Sequence, residues 1–188
     1  MKDNLNIIGA HGVRHKNDFY PTPPECTLAL IEFLEKYLLL KRTDTIWEPA
    51  CGTYDMVNVF KDEGYSVIAS DITQGKDYLV TELDDKYDWI ITNPPFNLAT
   101  EFIKRSIKKK KPFALLLKSQ FWHSAKRREL FYDYQPAFIL PLTWRPDFTG
   151  NGASMLDMIW VVWLGNSRMT CYLPLKKPSK KERSENGT

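Results

Sequence analysis

The sequence predicts an α/β fold in which a mostly parallel sheet carries helices on both faces. Three observations point there. Short, near-continuous apolar runs end in polar residues, as strands buried on both faces do. Segments with apolar residues at helical spacing separate those runs. No self-similar period of 20 to 50 residues is visible, which sets aside solenoids and propellers. At 188 residues the chain suits one sizeable core rather than two domains.

The elements follow in order. Residues 24 to 40, PECTLALIEFLEKYLLL, place Leu28, Ile31, Leu34 and Leu38 at helical spacing, and Pro23 and Pro24 suit a helix start. TIWEPA (45 to 50) and SVIASD (66 to 71) read as strands flanking an amphipathic segment at 54 to 63, a strand-helix-strand unit. The pattern recurs as a strand at 88 to 95 (DWIITNPP), a helix near 98 to 110, a strand at 112 to 119 (PFALLLKS), a helix at 124 to 134 and a strand at 137 to 142 (AFILPL). A last strand, DMIWVVWLG (157 to 165), comes without an intervening helix, so an antiparallel hairpin is expected at one edge. The terminal KKPSKKERSENGT is polar and charge-dense, a composition that resists packing. The expected organisation is an N-terminal arm over 1 to 18, one domain over 19 to 170, and a polar, disordered tail over 171 to 188.

Composition narrows the function classes. With 43% hydrophobic and 26% charged residues, and no apolar run near the ~20 residues that span a bilayer, no membrane role is expected. The N-terminus lacks the basic and apolar regions of a secretion signal, so the cytoplasm is the expected compartment. Cys26, Cys51 and Cys171 have no metal-type spacing and are odd in number, which argues for reduced, structural thiols. His11, His15 and His123 have no partner constellation, and no metal is expected. The net charge of +3 is unevenly spread: residues 1 to 97 hold nine bases and sixteen acids, residues 98 to 175 twelve bases and five acids, and the rest five bases and two acids. An acidic half suits a cationic ligand and a basic half an anionic one, a pointer toward nucleic acid.

In a doubly wound sheet, ligands bind beyond the carboxyl ends of the strands. Those ends carry Glu48-Pro49-Ala50-Cys51-Gly52, then Asp71-Ile72, then Asn93-Pro94-Pro95-Phe96, then Lys118-Ser119. Gly52 lets the backbone turn tightly and approach a ligand, and Glu48 can face a cationic group. Asp71, about 20 residues on, can accept both hydroxyls of a ribose. The plain alternatives are a turn glycine and a helix-capping aspartate.

FYPTPPE, EPACG, SDI, GKDYL and ITNPPF stand in the order in which they occur in class I adenine-N6 methyltransferases, and over about Phe19 to Gly165 the chain resembles the small phage-type DNA adenine enzymes most. The resemblance implies a Rossmann-like domain with a mostly parallel seven-stranded sheet, and S-adenosylmethionine as cofactor. It implies that Tyr20, Thr22 and Pro23 border the methionine part, that Glu48 and Gly52 lie beneath it, that Asp71 holds the ribose, that Asp77 and Tyr78 sit by the cofactor's adenine, and that Pro49, Ala50, Ile72 and Asn93 also belong to the cofactor site. One position departs: the family's second glycine, two residues after Gly52, is Tyr54 here. Tyrosine does not readily take a positive φ, so the loop is expected either to follow another path or to bind cofactor weakly or not at all.

Asn93-Pro94-Pro95-Phe96 supplies the chemistry. Two prolines directly after a buried strand end it and stiffen the backbone beyond it. The exocyclic amine of adenine is a poor nucleophile because its lone pair is delocalised into the ring. The Asn93 amide oxygen and the Pro94 carbonyl would each accept one amine hydrogen, draw the nitrogen toward tetrahedral geometry and aim its lone pair at the sulfonium methyl, a gain of orientation and preorganised electrostatics. Phe96 would stack on the purine, at ~1 to 3 kcal/mol per base. The plain alternative is an ordinary strand end, turn and core aromatic.

A base in a duplex must be flipped out at a cost of a few kcal/mol. Candidates to hold the backbone meanwhile are Lys118, the runs Lys104-Arg105, Lys108 to Lys111 and Lys126-Arg127-Arg128, and Trp144-Arg145; the plain reading of each run is a solvated helix face. Phe148, Thr149, Gly150, Asn151 and Gly152 are expected to form a flexible polar loop resembling the family's substrate-side loop. Two other readings stand beside DNA adenine methylation. The same corner serves methylation of adenine in RNA or of a protein glutamine, and a non-catalytic subunit keeps the fold while Tyr54 blocks the cofactor. No dedicated target-recognition segment is visible, so a homodimer or a partner subunit is a further expectation.

Overall fold

A computed structural model describes residues 21–83, 86–150, 152, 156–165 and 167–179. Proline at the first helical position, whose fixed φ is already helical, opens α1 (Pro24–Lys36). The helix buries Cys26, Ala29, Leu30, Ile31, Phe33 and Leu34 along one side. It stops short of the expected residue 40 because Leu38 turns to φ 55. Beyond it come β1 (Thr45–Glu48), α2 (Asp55–Asp62), β2 (Ser66–Ala69), β3 (Trp89–Thr92), α3 (Ala99–Lys109), β4 (Phe113–Lys118), α4 (Arg128–Asp133), β5 (Phe138–Pro141), β6 (Met158–Trp163) and β7 (Cys171–Tyr172). The helix expected at 124 to 134 divides into a 3₁₀ turn, Ala125–Arg127, and the six-residue α4.

The sheet has seven strands in the order β2-β1-β3-β4-β6-β5-β7. β2, β1, β3 and β4 are mutually parallel. Successive residues of each strand face opposite sides, so Ile46 and Ile91 join the core beneath α1 and α2, while Trp47 and Ile90 join the core beneath α3. A hydrogen bond of 2.8 Å from Trp160 Nε1 to the Cys26 carbonyl ties β6 to α1, and Trp163 stacks on Phe113 with centroids 4.6 Å apart. From β1 the chain steps to β2 on one side and returns to β3 on the other. Strand order therefore reverses between β1 and β3, and a crevice opens at their carboxyl ends.

Two expectations are corrected. The antiparallel pair is not at the sheet's edge: β6 lies inside, antiparallel to both β4 and β5, and β7 forms the margin, parallel to β5. Residues 171 to 175, expected in the tail, are packed. Cys171 and Leu173 donate backbone hydrogen bonds to Ala137 and Ile139 (2.9 and 3.0 Å), and Leu175 is buried in a bridge to Leu142. The arm over 1 to 18 and residues 180 to 188 lie outside the described residues. No helix among the described residues is long and apolar enough to cross a membrane.

Candidate active site

The crevice holds a cleft of about 180 Å³. Glu48, the last residue of β1, forms its floor and is fully buried. Its Oε1 accepts from the Ala50 N–H at 3.0 Å and from the Thr92 hydroxyl, whereas Oε2 is buried without a partner among the described residues. Burial outweighs those bonds and pushes the carboxyl up to about 8.

Beyond Glu48 the backbone turns at Gly52, φ 47, whose N–H donates to Asp71 Oδ2 at 3.0 Å. Asp71 caps the 3₁₀ turn Ile72–Gln74 by accepting from the Thr73 N–H and hydroxyl through Oδ1 at 2.9 and 2.7 Å. Burial works to raise this carboxyl, but the Thr73 and Gly52 bonds prevail and hold it below the ordinary aspartate range. A carboxylate offers about four lone-pair positions. Three are used, so Asp71 has room for one further donor where the sequence suggested two ribose hydroxyls. Asp71 is thus a cap that also lines the cleft.

The expectation that Tyr54 would not take a positive φ is corrected: the residue takes φ 69, in the left-handed region, as the N-cap of α2. The ring points outward, with its hydroxyl 2.6 Å from Gln74 Nε2, and does not line the cleft.

β3 brings up the other wall. Thr92 is wholly buried, and Asn93 comes next, half-buried, with its Nδ2 donating to Thr22 Oγ1 at 3.0 Å. The Asn93 Oδ1 is buried and has no partner among the described residues. Pro94, Pro95 and Phe96 continue the wall. The Phe96 ring leans on the core beneath α1, and Lys118 Nζ lies 3.9 Å from its centroid.

Of the residues singled out in the sequence, the structure gathers Thr22, Glu48, Pro49, Ala50, Asp71, Ile72, Asp77, Tyr78 and Asn93 to Phe96 around one cleft. Asp77 is fixed by accepting from the Leu79 N–H at 2.9 Å. Tyr78 turns its hydroxyl to Ser106 Oγ (2.7 Å) and packs edge-on to Trp47 in the core. Gly52 and Pro23 stand behind the lining, and Tyr20 is outside the described residues. Pro21, Cys51, Asp55, Met56, Thr73, Leu98 and Phe102 complete the walls without having been proposed as site residues. Position beside a motif is the signal that finds Cys51, Asp55 and Thr73, whereas Phe102 is indistinguishable in sequence from a core aromatic.

Of the proposed substrate residues Phe96 lines the cleft, whereas Lys118, Trp144, Arg145, Phe148 and Thr149 do not. Trp144 packs half-buried on the core with its Nε1 unpartnered among the described residues, and Arg145 Nε pairs with Asp157 at 2.9 Å. The expected polar loop is hydrogen-bonded to one carboxylate over its described residues. Phe148 is buried in the core, and the Asp147 carboxylate collects the Thr149 N–H and hydroxyl with the N–H groups of Gly150 and Gly152, at 2.6 to 3.0 Å. Asn151 is outside the described residues. Among the bases, Arg105 and Lys109 bind Glu82, and Arg127 bonds the Phe121 carbonyl at 2.6 Å. Lys108 to Lys111 lie at the far end of α3, against the amino end of β4, so they are at the opposite end of the sheet from the cleft.

No protein-family model matches the chain, and no curated protein sequence does. Solved structures share its fold at low identity. A protein of Listeria monocytogenes, provisionally described as a class I S-adenosylmethionine-dependent methyltransferase, superposes with a TM-score of 0.60 at 17% identity over 90% of this chain and 68% of its own. A provisionally assigned RNA methyltransferase of Pyrococcus horikoshii gives 0.54 at 8% identity over 78% and 85%. The modification subunit of a provisionally assigned type I restriction enzyme from Vibrio vulnificus gives 0.51 at 15% over 87%, and this chain spans 48% of it. With its strand-order reversal between β1 and β3 and its antiparallel β6, the chain has the Rossmann-like fold seen in class I methyltransferases.

Proposed function

We propose that this chain transfers a methyl group from S-adenosylmethionine to the exocyclic N6 amine of adenine in DNA. The observation that carries the reading is the buried, unpartnered Asn93 Oδ1, held at a Pro-Pro corner on the same cleft as Glu48 and Asp71. A buried acceptor without a partner costs about 1 to 3 kcal/mol unless a donor arrives, and an NH2 group is such a donor. The Glu48 Oε2 is a second buried, unpartnered atom, and a cationic ligand beside it would draw off the proton that burial keeps on this carboxyl.

The residues therefore fit the cofactor. Glu48 would face its positive groups, Asp71 would take one ribose hydroxyl, and Asp77 with Tyr78 would border its adenine. When bound, S-adenosylmethionine supplies an activated methyl on a positively charged sulfur. Asn93 Oδ1 and the Pro94 carbonyl would each accept one hydrogen of the target amine. Because Thr22 holds the Asn93 amide from behind and Pro94 fixes the backbone, neither acceptor has to reorganise as charge develops. The amine proton becomes acidic only as the new bond forms, so no strong base is required beforehand.

The outward ring of Tyr54 favours an enzyme over a non-catalytic subunit, since nothing from that side chain enters the cleft. The basic half of the chain favours a nucleic acid over a neutral protein, and the likeness to a restriction-enzyme modification subunit agrees with DNA. The test offers labelled cofactor with duplex DNA, single-stranded DNA, RNA and protein, and identifies the methylated atom by nucleoside mass analysis. N6-methyladenine from DNA is expected, with roughly a 10²-fold or greater fall in turnover for Asn93→Ala. Full activity in that variant would remove the mechanism.

A further inference from the structure

Among the described residues that line the cleft, Glu48, Asp55, Asp71 and Asp77 are acids, and none is a lysine, an arginine or a histidine. The elements packed against Glu48 bring it no positive charge. β2 sets Ala69 beside it, β3 sets the Thr92 hydroxyl on its Oε1, and Asp71, beyond β2, adds a negative charge. Cys51 is kept a neutral thiol, pushed up to about 11 by burial and then by the Glu48 and Asp71 carboxyls. Burial likewise raises the Tyr78 hydroxyl, which turns to Ser106. The second carboxyl oxygen of Glu48, Oε2, is buried with no partner among the described residues. An ionised carboxylate in that position is costly, so the ligand-free protein holds a proton there. A cation placed against the same oxygen favours the ionised form instead.

We propose that Glu48 tells S-adenosylmethionine from its demethylated product by charge exchange: the carboxyl releases its proton to solvent when the sulfonium is seated, and takes one back once the methyl has gone. The inference rests on the reading of this cleft as the cofactor site, and it makes Glu48 a specificity-determining residue between cofactor and product. Both ligands bring the same ammonium and carboxylate, but S-adenosylhomocysteine has a neutral thioether where the cofactor has a positive sulfur. One positive charge enters as one proton leaves, so the charge of the cleft is conserved. With the thioether in place nothing offsets the buried carboxylate, and the proton stays. Binding that releases a proton strengthens as pH rises, until the ligand-free carboxyl is itself ionised at about 8. The cofactor therefore gains on its product across the neutral range.

Calorimetry of the intact protein with each ligand, in two buffers of different ionisation enthalpy, counts the protons released on binding. At about pH 6.5, S-adenosylmethionine is expected to release roughly half a proton or more per site beyond S-adenosylhomocysteine. The ratio of their affinities should rise roughly fivefold or more from about pH 6.0 to about pH 7.5, a range below the ~7.7 to 8.0 of an α-amino group. Glu48→Gln should abolish the excess release and hold the ratio within about twofold over the same range. Equal proton release by the two ligands overturns the proposal in the intact protein alone, and so does a pH-dependent ratio that survives in Glu48→Gln. If the proton count is as expected while no methyl reaches adenine, the proposed function fails and the charge exchange stands; if adenine is methylated and both ligands release protons alike, the exchange fails and the function stands.

Discussion

Glu48 is the residue on which the electrostatics of the cleft turn. Its carboxyl is fully buried, and desolvation lifts it to about 8 against two hydrogen bonds that oppose the rise. A carboxyl raised in the folded state binds its proton more tightly there than in the unfolded chain. The resulting stability is fully present below the ordinary carboxylate range and is lost as pH rises toward 8. Every tenfold difference in proton affinity between the two states corresponds to ~1.4 kcal/mol, so the loss reaches a few kcal/mol. Thermal unfolding of the ligand-free protein should thus give a lower Tm at pH 8 than at pH 5, and Glu48→Gln should flatten the difference. An unchanged pH dependence in that variant would place the titration elsewhere. Tyr54 makes a separate prediction. A non-glycine residue at φ 69 carries roughly 1 kcal/mol of backbone strain, while its exposed bond to Gln74 returns little. Tyr54→Gly should leave stability within ~1 kcal/mol of the parent and calorimetric affinity for S-adenosylmethionine within about threefold. A tenfold gain in affinity would show that the ring obstructs the site.

At the scale of elements, packing at the sheet's margin decides how much the last strand stabilises. β7 has only Cys171 and Tyr172, both exposed, yet Leu175 just beyond is buried against Leu142 and the core. Leu175→Ala should cost about 2 to 3 kcal/mol in denaturant unfolding, the range for truncating a buried leucine. A change below ~0.5 kcal/mol would mean that the segment is not docked. The same strand shows where legibility ends. β1, β3, β4 and β6 declare themselves because strands buried on both faces need near-continuous apolar runs, and Ile46-Trp47, Trp89 to Ile91, Phe113 to Leu117 and Met158 to Trp163 are such runs. Two exposed residues carry no periodicity, and the charge-dense stretch behind them pulls the reading toward a tail. That the hairpin lies one strand in from the margin escaped for the same reason, since β7, which pairs along its outer side, carries no signal of its own. Gly150 and Gly152 suggested looseness, yet one carboxylate gathers four donors from Thr149, Gly150 and Gly152, and Asp-x-Thr-Gly is the signature of such a turn. In the site, the strand-end motifs were legible because backbone turning demands Gly52 and the prolines, whereas substrate contacts depend on where long side chains point.

At the scale of the whole molecule, the basic half resolves into two populations set by which end of the sheet they occupy. α3 starts beside the cleft and runs about 16 Å to the opposite end, so its C-terminal lysines are carried away from any substrate seated at Asn93. Part of its charge is already engaged: Lys109 and Arg105 hydrogen-bond Glu82 and lower its carboxyl from the ordinary glutamate value, the Lys109 bond first and the Arg105 bond next. Lys126 and Arg128 differ on both counts, being exposed and lying past the carboxyl end of β4 on the cleft side. A nucleic acid laid across the cleft meets these two and not the end of α3. Each phosphate contact contributes ~0.9 to the slope of log affinity against log salt on duplex DNA. Replacing Lys126 and Arg128 together by Gln should lower that slope by about 2 and weaken binding alike for all sequences. The triple change of Lys108, Lys110 and Lys111 to Gln should leave the slope within ~0.5, although it removes more charge. Should the triple variant bind more weakly than the double one, the substrate does not lie across the carboxyl ends of the strands, and net charge rather than its placement governs binding.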